Sequence, residues 1–155
     1  MAVHIKLASE EDAAIVRRIM LEAFEEYRGK LNPPSGALKE TVDDVLGKMR
    51  SGGAVIAWNG AEAVGSARYE AREGYIYIGR VSVLPAHRGK GIGKRMLEFI
   101  ETIARTSGIY ETRVGVRLSI PGNVEMYGNL GYGIVNREYY PEKTDSWYVM
   151  SKRLL

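Results

Sequence analysis

Residues 75–84, YIYIGRVSVL, run into Pro85 and then into HRGKGIGKR at 87–95. The first stretch is β-branched and aromatic almost throughout, which predicts a strand. The second carries glycine at every other position with basic residues on both sides. Beyond it Ile92, Met96, Phe99, Ile100, Ile103 and Ala104 recur at helical spacing until Gly108. A strand, a glycine turn and a helix N-terminus in direct succession point unpaired backbone N–H groups and the positive end of the helix dipole the same way. That is an anion site. Glycine permits close approach, and Arg88, Lys90, Lys94 and Arg95 add positive charge suited to more than one phosphate. The expected ligand is phosphorylated, most economically a pyrophosphate.

The flanking sequence supplies the rest of an α/β mixture. Val3 to Leu7 alternates as a strand, and Ser9 with Asp12 marks a helix start. Val16, Ile19, Met20, Ala23, Phe24 and Tyr27 then follow at helical spacing up to Gly29, a helix of about five turns. LNPPSGAL at 31–38 is a loop, either a connector or a wall of a ligand site, and Thr41 caps a shorter helix. AVIAW and EAVGSARYE flank an Asn59-Gly60 hairpin signal and, with YIYIGRVSVL, make an antiparallel meander. Strict alternation in the last of these puts Tyr75, Tyr77, Gly79, Val81 and Val83 on one face. Ile76, Ile78, Arg80, Ser82 and Leu84 fall on the other, and two largely apolar faces predict a central position. TRVGVRLS, GYGIVNREYY and DSWYVMSKRL read as further strands, with GNVEMYGNL a short helix after the first of them. The expectation is one domain over residues 1–155, with a mostly antiparallel sheet of six or seven strands and helices inserted at intervals.

Composition narrows the chemistry. There are no cysteines and only two histidines, His4 and His87, which argues against thiol nucleophiles, disulfides, metal sites and a Ser-His-Asp triad. No apolar run approaches a membrane span, and the N-terminus lacks a signal-peptide layout, so the expected location is cytoplasmic, with no membrane partner. A net charge of +3 suits an anionic ligand without demanding nucleic acid, and the basic residues gather at one helix start rather than along a face.

Two familiar glycine motifs do not fit. A P-loop requires Ser or Thr after Gly-Lys, but Gly93-Lys94 is followed by Arg95, and Arg88 stands where the first glycine belongs. A dinucleotide fingerprint requires G-x-G-x-x-G in an early βαβ unit. Here Gly89, Gly91 and Gly93 read G-x-G-x-G after a meander. VSVLPAHRGKGIGKRML instead resembles the acyl-CoA signature of the GNAT N-acetyltransferase superfamily, R/Q-x-x-G-x-G/A, at Arg88, Gly91 and Gly93. Tyr127-Gly128-Asn129-Leu130-Gly131-Tyr132 resembles that family's later Y-x-x-L-G-F/Y. Element order agrees over nearly the whole chain, and residues 79 to 132 carry the specific motifs.

The resemblance implies a GNAT-like fold with helices on both faces of the sheet, and acetyl-CoA as acyl donor without a metal. The loop from Arg88 through Gly89, Lys90, Gly91, Ile92 and Gly93 to Lys94 would hold the CoA pyrophosphate on backbone amides. Val81, Ser82 and Val83 would pair with the pantetheine arm along a strand that a bulge splays from its neighbour. Asn123 would contact the cofactor or only cap its helix, since the family's usual spacing puts Ile120 at that place. Tyr127 would be the general acid, near the thioester sulfur, for transfer to an amine-bearing small molecule or peptide. The strand before the loop lacks the family's frequent Glu base, which leaves Glu70, Glu111 or solvent. Arg68 and Arg80 could meet an acceptor carboxylate. A non-catalytic acyl-CoA sensor on the same fold is the competing reading, and a homodimer through the last strands is compatible with either.

Overall fold

The computed structural model describes residues 2–155. Eleven elements follow in chain order: β1 (Val3–Leu7), α1 (Ala13–Phe24), α2 (Val42–Ser51), β2 (Gly53–Asn59), β3 (Glu62–Arg72), β4 (Tyr75–Val83), α3 (Ile92–Thr106), β5 (Glu111–Arg117), α4 (Asn123–Asn129), β6 (Gly133–Tyr139) and β7 (Ser146–Arg153). The expected first helix is α1 extended by a 3-10 turn at each end, Glu10–Asp12 and Glu25–Tyr27. The Asp12 carboxylate accepts the Ser9 N–H at 2.9 Å, and the Thr41 hydroxyl caps α2 by accepting the Asp44 N–H at 3.1 Å.

All seven strands lie in one sheet of order β1-β2-β3-β4-β5-β7-β6. Every neighbouring pair is antiparallel except β4 with β5, and β4 is central as expected. The crossover between these two parallel strands runs through α3, as a parallel pair requires. The sheet separates two cores. On one face Ile92, Met96, Leu97, Ile100 and Ala104 of α3 pack with Ile76, Ile78, Val114, Val116 and Tyr127; on the other Val16, Ile19 and Met20 of α1 and Val45 and Met49 of α2 pack on Ala54, Ile56 and Ala63. Among the described residues no helix is long and apolar enough to cross a membrane.

One face assignment is overturned. Val81 and Val83 pack into the α3 core beside Ile76 and Ile78, not with Tyr75 and Tyr77. The cause is a bulge. Ser66 pairs with Ser82 and Arg68 with Gly79, so β4 spends one residue more than β3, and Arg80 takes φ +50°. Strict alternation therefore holds only up to Gly79.

The corner from α2 into β2 depends on a missing side chain. An ideal Cβ on Gly52 would stand 2.1 Å from the Tyr69 carbonyl oxygen and 3.0 Å from Glu70 Cα, both backbone atoms with little freedom to yield. Gly52→Ala is expected to destabilise the fold by about 1–3 kcal/mol, as overpacking does elsewhere, read as a lower urea midpoint.

Candidate functional site

The site begins where β4 and β5 part. Their pairing covers three registers, Ile76 with Thr112, Tyr77 with Arg113 and Ile78 with Val114, and then stops. Beyond that point β4 bulges at Arg80 and stays with β3, whereas β5 stays with β7 as far as Arg117 opposite Trp147. The parted strands open a cleft of about 690 Å³. Gly79, Arg80 and Val81 line one side, Val114 to Arg117 the other, and Leu31, Pro34, Ser35 and Gly36 its rim. The loop at 31–38 is thus a wall of the cleft rather than a connector alone. Ser82 and Val83 continue β4 away from it, with the Ser82 hydroxyl donating to the Arg80 carbonyl at 2.9 Å.

At the far end of the same strand lies the glycine loop. Gly89 and Gly91 both take φ +76°, and Gly91 is the residue from which α3 starts. This left-handed conformation is what only glycine adopts without strain. Among the described residues, the amides of Gly89, Lys90, Gly91, Ile92, Gly93 and Lys94 donate to no backbone acceptor; the ladder resumes with Arg95 N–H to the Gly91 carbonyl at 3.1 Å. The first turn of α3 has no acidic residue and carries Lys94 and Arg95, the reverse of what a helix N-terminus prefers unless an anion sits there. Arg88 behaves differently from the expectation. Its guanidinium turns away to donate to Glu26 at 2.7 Å, the Ala23 carbonyl at 3.0 Å and the Val83 carbonyl at 3.2 Å, pinning the loop to α1. Its charge is spent on the fold.

Tyr127, Asn123 and Ile120 all reach the cleft. Tyr127 is buried, edge-on to Tyr132 with ring centroids 6.1 Å apart, and burial followed by the nearby Tyr77 pushes its hydroxyl well above the usual tyrosine range. A buried phenol of this kind stays protonated. Asn123 does not cap α4. Gly122, at φ +85°, holds the N-cap position, and Asn123 is the first helical residue. The structure therefore brings Val81, Asn123 and Tyr127 into one cleft and leaves the loop of residues 88–94 outside it, at the end of the strand that forms its wall.

Comparison with known proteins bears on what this arrangement is. The model of the Acetyltransferase (GNAT) family matches residues 15–132. The chain belongs to that family. Among solved structures, the PaiA N-acetyltransferase from Thermoplasma acidophilum in complex with coenzyme A superposes with a TM-score of 0.82 at 18% identity, covering 99% of each chain. The ribosomal-protein-S18-alanine N-acetyltransferase from Escherichia coli gives 0.79 at 13% identity over 99% of this chain and 94% of that one. A GNAT family acetyltransferase from Elizabethkingia anophelis with acetyl-CoA bound gives 0.75 at 17% identity over 98% of each. At such identities the likeness is one of fold.

Within this GNAT fold the charged residues of the cleft are already partnered in a way the sequence did not show. Glu40, at the end of the 31–40 loop, receives both terminal amino groups of Arg68 at 2.5 and 3.1 Å and the Nε of Arg80 at 2.8 Å. Arg68 is therefore closed to an acceptor, contrary to the expectation for that residue. Glu70 accepts from Arg72, and Glu111, bound to Arg113 and Ser151, sits at the opposite end of β5 beside Arg153. Glu111 is thus no candidate base. Arg117 is tied to Asp145 at 2.5 Å and to the Pro33 carbonyl.

Burial pushes the Glu40 carboxyl up, but Arg68 and Arg80 together pull it further down, so its folded value lies below 4.5. A depressed carboxylate stabilises the fold above its unfolded value and loses that contribution as pH falls through the folded one. Glu40→Gln is accordingly expected to be clearly less stable than the parent at pH 7. The gap should narrow only below about pH 4.5, measured as urea midpoints across that range.

Proposed function

We propose that this chain transfers an acetyl group from acetyl-CoA to a primary amine by direct attack. The single observation that carries the reading is the parting of β4 from β5, with Tyr127 in the resulting cleft and six unpaired amides at the end of the same strand. The residues present suit the donor. The amides of Gly89 to Lys94 would hold the pyrophosphate at the start of α3, aided by Lys90 and Lys94. The free edge of β4 at Val81, Ser82 and Val83 would pair with the pantetheine arm, and Asn123 would reach it from α4.

Acetyl-CoA supplies a thioester whose carbonyl an amine attacks and whose sulfur leaves as a thiolate. The chain has to orient the amine, polarise the carbonyl and protonate the sulfur. A backbone N–H on the free edge of β4 beside Val81 serves the second task without a charged side chain. Tyr127 serves the third, because burial keeps its proton in place at any working pH. Of the three carboxylates that line the cleft, Glu40 and Glu70 are held in ion pairs and Asp44 accepts the Thr41 N–H at the start of α2. The amine accordingly arrives neutral or loses its proton to solvent in the cleft. Isothermal titration with acetyl-CoA followed by an amine panel scored by CoA release tests the reading. Micromolar binding with amine-dependent release is the expected result. Binding without release from any amine would leave the sensor reading instead.

A further inference from the structure

We propose that the acceptor is a small amino acid, an amine with a carboxylate a few bonds away, and that the end of the Arg80 guanidinium holds that carboxylate. The inference rests on the acetyl-transfer reading above. Four arginines line the cleft, and three are committed. Arg68 gives both terminal amino groups to Glu40, Arg72 gives Nε and one amino group to Glu70, and Arg117 is fixed on Asp145 and the Pro33 carbonyl. Arg80 gives Glu40 only its Nε. Its two terminal amino groups have no acceptor among the described residues, and together they form the fork that fits one carboxylate in a bidentate pair.

Three further observations point the same way. Arg80 carries the bulge at φ +50°, a conformation that a residue with a side chain keeps only where its surroundings hold it. Glycine would sit there without strain, so the guanidinium is what the position retains. Gly36 leaves it room, since a Cβ there would lie 3.1 Å from Arg80 Nη2. The balance of charge also excludes a polycation. Five basic side chains face three acidic ones across the cleft, and Asp145 behind Arg117 leaves one positive charge unmatched. One surplus positive charge, with Lys48 as well as the end of Arg80 unpartnered among the described residues, suits a monoanion.

Arg80 also fixes the distance. It lies between Gly79 and Val81, on the backbone where β4 leaves β5, so a carboxylate on it belongs to the same small molecule as an amine reacting beside that backbone. Apolar side chains of Phe24 and Leu31 line the same cleft and suit a hydrocarbon body between or beside the two groups.

The test uses pairs that differ only in the carboxylate: phenylalanine with phenethylamine, leucine with isopentylamine, and γ-aminobutyrate with propylamine. Each is titrated into protein saturated with acetyl-CoA and assayed for CoA release. At least one amino acid is expected to bind and react roughly 10- to 100-fold better than its partner. That ratio should collapse in Arg80→Gln and be only partly kept in Arg80→Lys, which retains the charge without the fork. Thermal melts of both variants report whether the fold survives. Should Arg80→Gln not fold, a retained preference in Arg80→Lys equal to the parent's would overturn the proposal. Equal use of both members of every pair, or no binding or release with any of them while acetyl-CoA itself binds, would also overturn it and leave acetyl transfer standing. Failure of acetyl-CoA to bind would remove the reading beneath it.

Discussion

Gly93→Leu is expected to bind acetyl-CoA about 100-fold more weakly than the parent while melting no lower. The two effects separate because nothing in the protein requires glycine there. An ideal Cβ on Gly93 meets only Val83 Cγ2, at 4.0 Å, and Gly93 lies in the first turn of α3 at a φ open to any residue. Leucine in a helix is better than glycine by roughly 0.5–1 kcal/mol, so stability should hold or rise. What the side chain would obstruct is the approach of an anion to the amides of residues 89–94. Loss of one or two charge-assisted hydrogen bonds, each worth about 1.5–3 kcal/mol, accounts for a 100-fold fall. Gly91 makes the contrast. At φ +76° a side chain is strained by roughly 1–2 kcal/mol, so Gly91→Leu should lose both affinity and stability. Titration calorimetry and melting curves on the two variants read both quantities. Unchanged affinity in Gly93→Leu would remove the loop from the cofactor site.

The second large effect belongs to Tyr127. Tyr127→Phe should lower kcat by about 100-fold or more, the usual contribution of a positioned acid, with KM for acetyl-CoA within about twofold. The ring, its edge-on contact with Tyr132 and its place in the α3 core all survive the substitution, so stability should change little. The parent's rate should also show no alkaline fall near pH 10, where an ordinary tyrosine loses its proton. Burial, and then Tyr77, move that loss to higher pH. A variant that keeps kcat within threefold would leave the hydroxyl with a packing role only.

The legible parts of this protein are those whose physics is local. Ser9, Thr41, the Asn59-Gly60 hairpin signal and the glycine spacing at 89–93 each act within a few residues, and the elements stand close to where those signals put them, although the hairpin turns one residue later, on Gly60 and Ala61, with Asn59 paired to Glu62. The expectation of an anion at the loop follows from the same short-range rules. The pairing of the Arg88 guanidinium lies outside such rules, because Glu26 and Ala23 are more than sixty residues away in sequence. Glu40 had no signal at all. A carboxylate beside a helix cap reads as solvated until β3 and β4 bring two guanidiniums to it.

By itself, the sequence determined the class of the fold and the strand–glycine–helix unit, because periodicity, turn chemistry and φ preference are properties of neighbouring residues. Tertiary structure decided the rest. The bulge at Arg80 turns Val81 and Val83 into the α3 core, and the parting of β4 from β5 makes a cleft from two strands about thirty residues apart in the chain. Which arginine remains open in that cleft follows only from the way distant charges find one another in three dimensions.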